Sequence, residues 1–187
     1  MRSMLMAGVL ALAACGPAEQ SAPTELPDEL RAALTGACAT SVETTWSGLS
    51  VSAETGGDDC AAATARITIS NAGDMLITHD YQSNQVMVLA HAESVADMER
   101  RLGEWIIPAG AARDSAGDLP VWIEGADYPM SGEFVFLVEE GIDRAAYAAL
   151  RARDAPLYCY VQGMESEACF VFENGALIPV GLQTFPG

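Results

Sequence analysis

The sequence has 187 residues, which is enough for one domain of ordinary size. Hydrophobic residues make up 50% of it and charged residues 19%, so the chain can bury a sizeable core and is not intrinsically disordered. The net charge of -17 would repel a polyanion and argues against nucleic-acid binding. No apolar run reaches the roughly 18 residues that a membrane-spanning helix needs.

The N-terminus combines a basic start, an apolar run and a cysteine. Residues 1–3 carry one Arg, and the apolar run over residues 4–14 is too short for a permanent membrane span. The run ends in the letters LAAC, and a Gly follows Cys15. This pattern resembles the lipobox of bacterial lipoprotein signal peptides, in residues 1–16 only. The resemblance implies a signal peptide over residues 1–14 and lipidation of Cys15; the alternative is an ordinary secretory signal with a free Cys15 thiol.

The lipobox resemblance also implies a location. Two or three acyl chains at about 0.8 kcal/mol per buried methylene would hold the mature chain firmly on a membrane. Gly16 follows the lipidated Cys, where an Asp favours the inner membrane in enteric bacteria, so we expect the outer membrane, facing the periplasm. Residues 15–27 are rich in Pro, Ala and polar residues and predict a flexible lipidated tether. Residues 28–187 then form a single domain.

Four cysteines remain after Cys15 is set aside. Because export places the domain in an oxidising compartment, Cys38, Cys60, Cys159 and Cys169 are expected to form two disulfides. Three pairings are open, and sequence proximity favours Cys38–Cys60 and Cys159–Cys169. A zinc site is the competing interpretation, but the chain has no CxxC pair and its two His are far from the Cys in sequence.

The first half of the domain predicts helices at both ends and strands between them. Pro27 and the acidic residues after it favour a first helix to Leu34. Short strands are expected around Val42 and residues 49–51. Polar-apolar alternation then predicts an antiparallel meander over 66–70, 75–81 and 86–92. Ser94 is expected to cap a second helix over 95–106.

The second half predicts more strands and a third helix. Strands are expected over residues 119–124 and 132–139, followed by a helix from Asp143 to Arg153. Three C-terminal strands follow, over 157–161, 169–173 and 176–182. Asn174-Gly175 is the strongest hairpin signal and places Phe172 opposite Leu177. Pro179 predicts that the last strand is an edge. The fold class is therefore α+β, with mainly antiparallel sheet, about three helices and disulfide staples.

Aromatic side chains mark two candidate binding surfaces. If Cys159 pairs with Cys169 across strands, Tyr158 faces Phe170 and one side of the sheet is aromatic, formed by Tyr158, Tyr160, Phe170 and Phe172. This side of the sheet is either part of the core or an exposed surface that binds a ligand or partner, and both alternatives stay open. The second candidate is the loop 124–130, which carries Tyr128 between acidic residues and a Pro.

No motif for catalysis, metal or cofactor binding is visible in the sequence. His79 and His91 are expected opposite Val88 and Leu76 on the predicted hairpin, so they are not cross-strand partners. Asp114–Asp118 could offer oxygen ligands to calcium but lacks the spacing of an EF-hand. We therefore expect no catalytic residues, no metal and no cofactor. A catalytic site assembled only in space would escape this search.

These observations predict a lipid-anchored protein of the bacterial cell envelope. Its domain is expected to be a non-enzymatic binding or interaction module. Its partners are the membrane, through the anchor, and an envelope or cationic protein that suits the acidic surface. The alternative is an envelope hydrolase with a spatially assembled active site.

Overall fold

A computed structural model describes residues 34–107 and 114–185 of the protein. Within them the chain forms two antiparallel sheets, two α-helices and three short 3-10 turns, so the expected α+β class is confirmed. The described residues contain two helices, not three. The helix predicted from Pro27 lies outside the described residues, apart from Leu34, as do the lipobox and the tether. No helix in the described part is long and apolar enough to cross a membrane.

The first sheet is a four-stranded meander that begins earlier than the sequence predicted. Its strands pair in chain order and are β1 (Thr40–Trp46), β2 (Leu49–Gly56), β3 (Thr64–Asn71) and β4 (Asp74–Gln82). Between β3 and β4, Ala72 and Gly73 both have positive φ, which is the geometry of a two-residue hairpin turn. The predicted strands over 66–70 and 75–81 are confirmed.

The strand predicted over residues 86–92 is wrong. Instead, the amides of Leu89 and Ala90 both donate to the carbonyl of Val86, at 2.9 and 2.8 Å, which makes a compact turn. Apolar residues at Val86, Leu89 and Ala90 have helix-like spacing and are buried together. Consequently His79 lies opposite Ile67 rather than Val88, and His91 has a left-handed φ of 66° on the surface.

The first helix, α1 (Val95–Trp105), starts as predicted. The Ser94 side chain accepts a hydrogen bond from the amide of Asp97 at 3.2 Å. Three residues on one face, Met98, Leu102 and Trp105, are buried in the core with the first sheet. The Trp105 indole also donates to the carbonyl of Val161 at 2.6 Å, which fixes the helix against the second sheet.

The second sheet has the strand order β5-β6-β9-β8-β7. The ranges are β5 (Met130–Ser131), β6 (Phe134–Val138), β7 (Leu157–Val161), β8 (Ser166–Glu173) and β9 (Ala176–Thr184). The predicted Asn174-Gly175 hairpin is confirmed, with Phe172 opposite Leu177 and Tyr158 opposite Phe170.

Pro179 does not mark an edge strand, because β9 lies between β6 and β8. The register passes from Phe170 opposite Pro179 to Cys169 opposite Gly181, so Val180 is an extra residue in β9. This bulge interrupts the ladder where Pro179 has no N–H to donate. A proline is therefore accommodated inside the sheet.

The strand predicted over 119–124 is also wrong, because side chains satisfy its carbonyls. Arg151 Nε donates to Leu119 O at 2.8 Å, and the Tyr147 hydroxyl donates to Pro120 O at 2.9 Å. Both donors belong to α2 (Arg144–Ala152), the helix predicted from Asp143. The Asp143 side chain caps it by accepting from the amide of Ala146 at 2.8 Å.

Both faces of the second sheet are buried over β7 and β8, and both expected disulfides form. One face packs against the first sheet and α1, and the other packs against α2 and the segment before it. Cys38 is bonded to Cys60, beside the first sheet. Cys159 is bonded to Cys169 across β7 and β8, as sequence proximity predicted.

Candidate functional site

The predicted aromatic surface is the core between the two sheets. Tyr158, Tyr160 and Phe170 are buried, because the first sheet covers this face of the second. The rings of Tyr160 and Phe170 are stacked 6.0 Å apart, and Trp46 lies 5.1 Å from Tyr158. These three side chains therefore do not form an exposed binding surface, and the core alternative is correct for them.

The two remaining aromatic candidates differ in exposure. Phe172 is partly buried and has an edge contact with Trp46 at 6.5 Å, so it belongs to the margin of the same core. Tyr128 is 48% exposed in the loop between Trp122 and β5, where it stays a candidate for partner contact.

A hydrogen-bonded cluster of His79, Tyr81 and Tyr160 lies at one margin of this core. His79 and Tyr81 point inward from β4, two residues apart, and Tyr160 faces them from β7. The Tyr160 hydroxyl oxygen is 2.6 Å from His79 Nδ1 and 2.8 Å from the Tyr81 hydroxyl. The inward spacing on β4 is visible in the sequence, but the partner strand is not, so sequence reasoning missed the cluster.

Burial keeps this cluster uncharged. It lowers the pKa of His79, with a smaller opposing effect from the neighbouring Asp80 carboxylate. It also raises the pKa of Tyr81 and of Tyr160, so both phenols stay protonated near neutral pH. Three neutral groups that hydrogen-bond to one another suit an inter-sheet contact inside an aromatic core.

An ion-pair row lies on the opposite face of the first sheet. Arg66 is flanked in register by Glu54 and Asp80, and its side chain is only 1% exposed. Two guanidinium nitrogens of Arg66 donate to Asp80 at 2.6 and 2.8 Å, and Glu54 lies 3.6 Å away. The Asp80 hydrogen bond raises the pKa of Arg66, and burial raises the pKa of Glu54. The Asp80 carboxylate is therefore committed to Arg66.

Two groups with metal-ligand residue types have structural roles instead. Ligand atoms of Cys159, Glu167 and Cys169 lie within 4.8 Å of one another, but the two sulfurs are joined in a disulfide and offer no thiolate. Asp118 Oδ2 accepts from the amides of Asp114 and Ser115, both at 3.1 Å. The bond from the Ser115 amide is part of a capping box, so Asp118 Oδ2 is already engaged by the backbone.

A groove of about 340 Å³ opens at the end of the second sheet. Its apolar walls and its polar groups come from all five strands of the second sheet and the segments beside them: Met87, Ser131, Phe134, Val161, Glu167, Gln183, Thr184 and Phe185. Sequence reasoning missed this groove because the predicted strand began at Cys169 and left Glu167 outside the sheet.

Gln183 and Glu167 are the buried polar residues of the groove, at 2% and 6% exposure, and they lie opposite each other on β9 and β8. The Gln183 Nε2 donates to Thr184 O at 2.9 Å and Val135 O at 3.3 Å, which fixes the orientation of the amide. Gln183 Oε1 then has no hydrogen-bond partner in the described part of the chain. A buried acceptor left unpaired costs about 1–3 kcal/mol.

No family model, curated protein or solved structure matches this chain. The function is therefore inferred from the chain's own residues.

The groove differs from the other polar clusters of the described residues in having a buried acceptor without a hydrogen-bond partner. The His79 cluster satisfies its own hydroxyls, and Asp80 is occupied by Arg66. In the groove, Gln183 offers a buried acceptor that an incoming donor would satisfy. An apolar cavity with a few convergent polar groups is the usual form of a small-molecule site.

Proposed function

We propose that the protein is a lipid-anchored component of the bacterial cell envelope, with a domain that binds rather than catalyses. The anchor part of the proposal is supported by the order of basic start, apolar run, LAAC and Gly in residues 1–16. The two disulfides support an oxidising compartment, as expected after export. The outer membrane, with the domain facing the periplasm, is the location we propose.

The observation that carries the binding part is the unpaired Gln183 Oε1 in the groove. Proteins seldom leave a buried acceptor unpaired, because no hydrogen bond then replaces the one to water that is lost on burial. A ligand that donates a hydrogen bond would replace it. The acidic composition also favours a cationic envelope protein as a macromolecular partner, since the net charge of -17 attracts it over distance.

The anchor is tested by the intact mass of full-length protein extracted from membranes. We expect loss of residues 1–14, added acyl chains, and a gain of about four hydrogens on reduction of two disulfides. Cys15→Ser is the matched control, and it should remain uncleaved and unacylated. An unlipidated wild-type chain with a free Cys15 thiol would overturn the anchor.

A hydrolase is the second candidate, and one observation favours it. His79 is neutral, lines a cleft of about 420 Å³ with Asp80 and Gln162, and has no described partner for Nε2. A neutral imidazole beside a cleft has the chemistry of a general base. Hydrolysis of simple ester and peptide substrates by the wild type, lost in His79→Gln and kept in His91→Gln, would support it over the binding module.

A further inference from the structure

We propose that the groove beside Gln183 binds a small organic cation, a primary amine carried on an apolar body. The inference rests on the proposed binding function and names the ligand class of its site. The acceptor comes first: Gln183 Oε1 is buried, and the amide cannot rotate without losing its bonds to Val135 O and Thr184 O. The ligand must therefore supply a donor.

Glu167 sets the charge of that donor. It lies directly opposite Gln183 on the neighbouring strand, and strands are about 4.8 Å apart. One ammonium group has three N–H donors and can reach both side chains from a position between them. A carboxylate has about four lone-pair positions, so this contact leaves room for the other interactions of Glu167.

The walls of the groove fix the rest of the ligand. Phe134, Val161, Met87 and Phe185 line it and present apolar surface around the two polar groups. A volume of about 340 Å³ is at the small end of ligand sites, which run from roughly 300 to 1,000 Å³. An aromatic or short alkyl group attached to the amine fits these walls, whereas a large ligand does not.

The overall charge favours the same ligand class. With a net charge of -17, the protein attracts small cations and repels small anions. Benzylammonium, benzyl alcohol and benzoate have similar shapes and differ in charge, so they separate electrostatic recognition from simple burial of the ring.

The test is a titration of the full-length protein, kept in nonionic detergent, with these three probes. Calorimetry gives the affinity, and NMR follows the Gln183 side-chain amide and the groove backbone signals. We expect saturable binding of benzylammonium, at least about tenfold weaker binding of benzyl alcohol, and no binding of benzoate. Glu167→Gln should weaken benzylammonium binding by about tenfold. The exposed Glu165→Gln makes the same charge change two residues away and should leave it unchanged.

Each other result overturns the proposal. These results are no saturable benzylammonium binding, equal binding of all three probes, or equal effects of the two Glu variants. If Glu167→Gln does not fold, the NMR signals of the wild-type protein titrated with benzylammonium are used instead. Shifts confined to Gln183, Phe134 and Phe185 support the site, and shifts elsewhere overturn it. If benzylammonium does not bind but Cys15 is lipidated, the amine proposal is wrong and the envelope location stands. If Cys15 is not lipidated but benzylammonium binds saturably, the envelope location is wrong and the amine proposal stands.

Discussion

The hydroxyl oxygen of Tyr160 lies 2.6 Å from Nδ1 of His79, across 81 residues of sequence. The bond joins β4 at the edge of the first sheet to β7 at the edge of the second. Tyr81 extends it by a further 2.8 Å contact to the same hydroxyl. The two sheets are thus joined by the neutral cluster of His79, Tyr81 and Tyr160 at the margin of the aromatic core. This contact makes the stability of the fold sensitive to protonation of His79.

Stability should fall with mild acid because of His79. Burial lowers the pKa of His79 in the folded state below its ordinary value of about 6.5, so below that pH the unfolded chain binds more protons. The free energy of unfolding is then highest above pH 6.5 and decreases as the pH falls through the folded pKa. Urea unfolding between pH 7.5 and 5.5 measures this slope.

Two variants identify His79 as the source of the slope. His79→Gln should flatten the dependence of unfolding free energy on pH over this range. His91→Gln, at an exposed position, should leave it in place. A slope that survives in His79→Gln would show that other groups titrate instead.

The Tyr160 hydroxyl should stabilise the fold through both of its hydrogen bonds. Tyr160→Phe keeps the ring stacked on Phe170 but leaves the polar atoms of His79 and Tyr81 without their shared partner. We expect a loss of about 1–3 kcal/mol in unfolding free energy, measured by urea denaturation. Tyr128→Phe removes a hydroxyl from an exposed ring and should cost less than about 0.5 kcal/mol. Equal losses of unfolding free energy in the two variants would contradict the stabilising role of the Tyr160 hydrogen bonds.

Local sequence signals were sufficient for caps, hairpins and disulfides. Asn174-Gly175 has the backbone freedom of a tight turn, and the strand period then fixes which residues face one another. The caps at Ser94 and Asp143 depend on residues three positions away, which the sequence displays. These features need no knowledge of distant neighbours.

The features that the sequence could not supply depend on distant neighbours. Residues 86–92 are apolar at nearly every position, so their period does not separate a strand from a buried turn. The predicted strand over 119–124 was wrong because α2, from later in the chain, satisfies its carbonyls. The groove was missed for the same reason, because Gln183 and Glu167 lie opposite each other only through the pairing of β8 with β9, which the predicted strand bounds did not include.

The Arg66–Asp80 ion pair should stabilise the fold, because the Arg66 side chain is almost fully buried and needs a partner for its charge. Asp80→Asn removes the charge from the nearer carboxylate and leaves Glu54 at 3.6 Å. Removing one partner of a fully buried pair costs about 3–5 kcal/mol, and we expect about 1–3 kcal/mol here because the Asp80 side chain is 37% exposed and screened by solvent. Asp74→Asn makes the same change at an exposed position on the same strand and should cost under about 0.5 kcal/mol. Urea denaturation of both variants decides, and a similar small loss would contradict the prediction.

The bulge in β9 should depend on Gly181. Its φ is 146°, and a Cβ at this position would lie 2.3 Å from the carbonyl oxygen of Leu137 on β6. Gly181→Ala therefore combines an unfavourable backbone conformation with a clash against backbone that cannot move freely, and we expect a loss of at least about 3 kcal/mol.

Gly132→Ala separates those two causes. Gly132 also has a positive φ, of 61°, but a Cβ there would meet no atom within 4 Å. This variant should cost only about 1–2 kcal/mol, the cost of the left-handed conformation itself. If urea denaturation shows that Gly181→Ala lowers the unfolding free energy no more than Gly132→Ala does, β9 does not approach β6 this closely. The bulge that places Pro179 inside the sheet would then need another explanation.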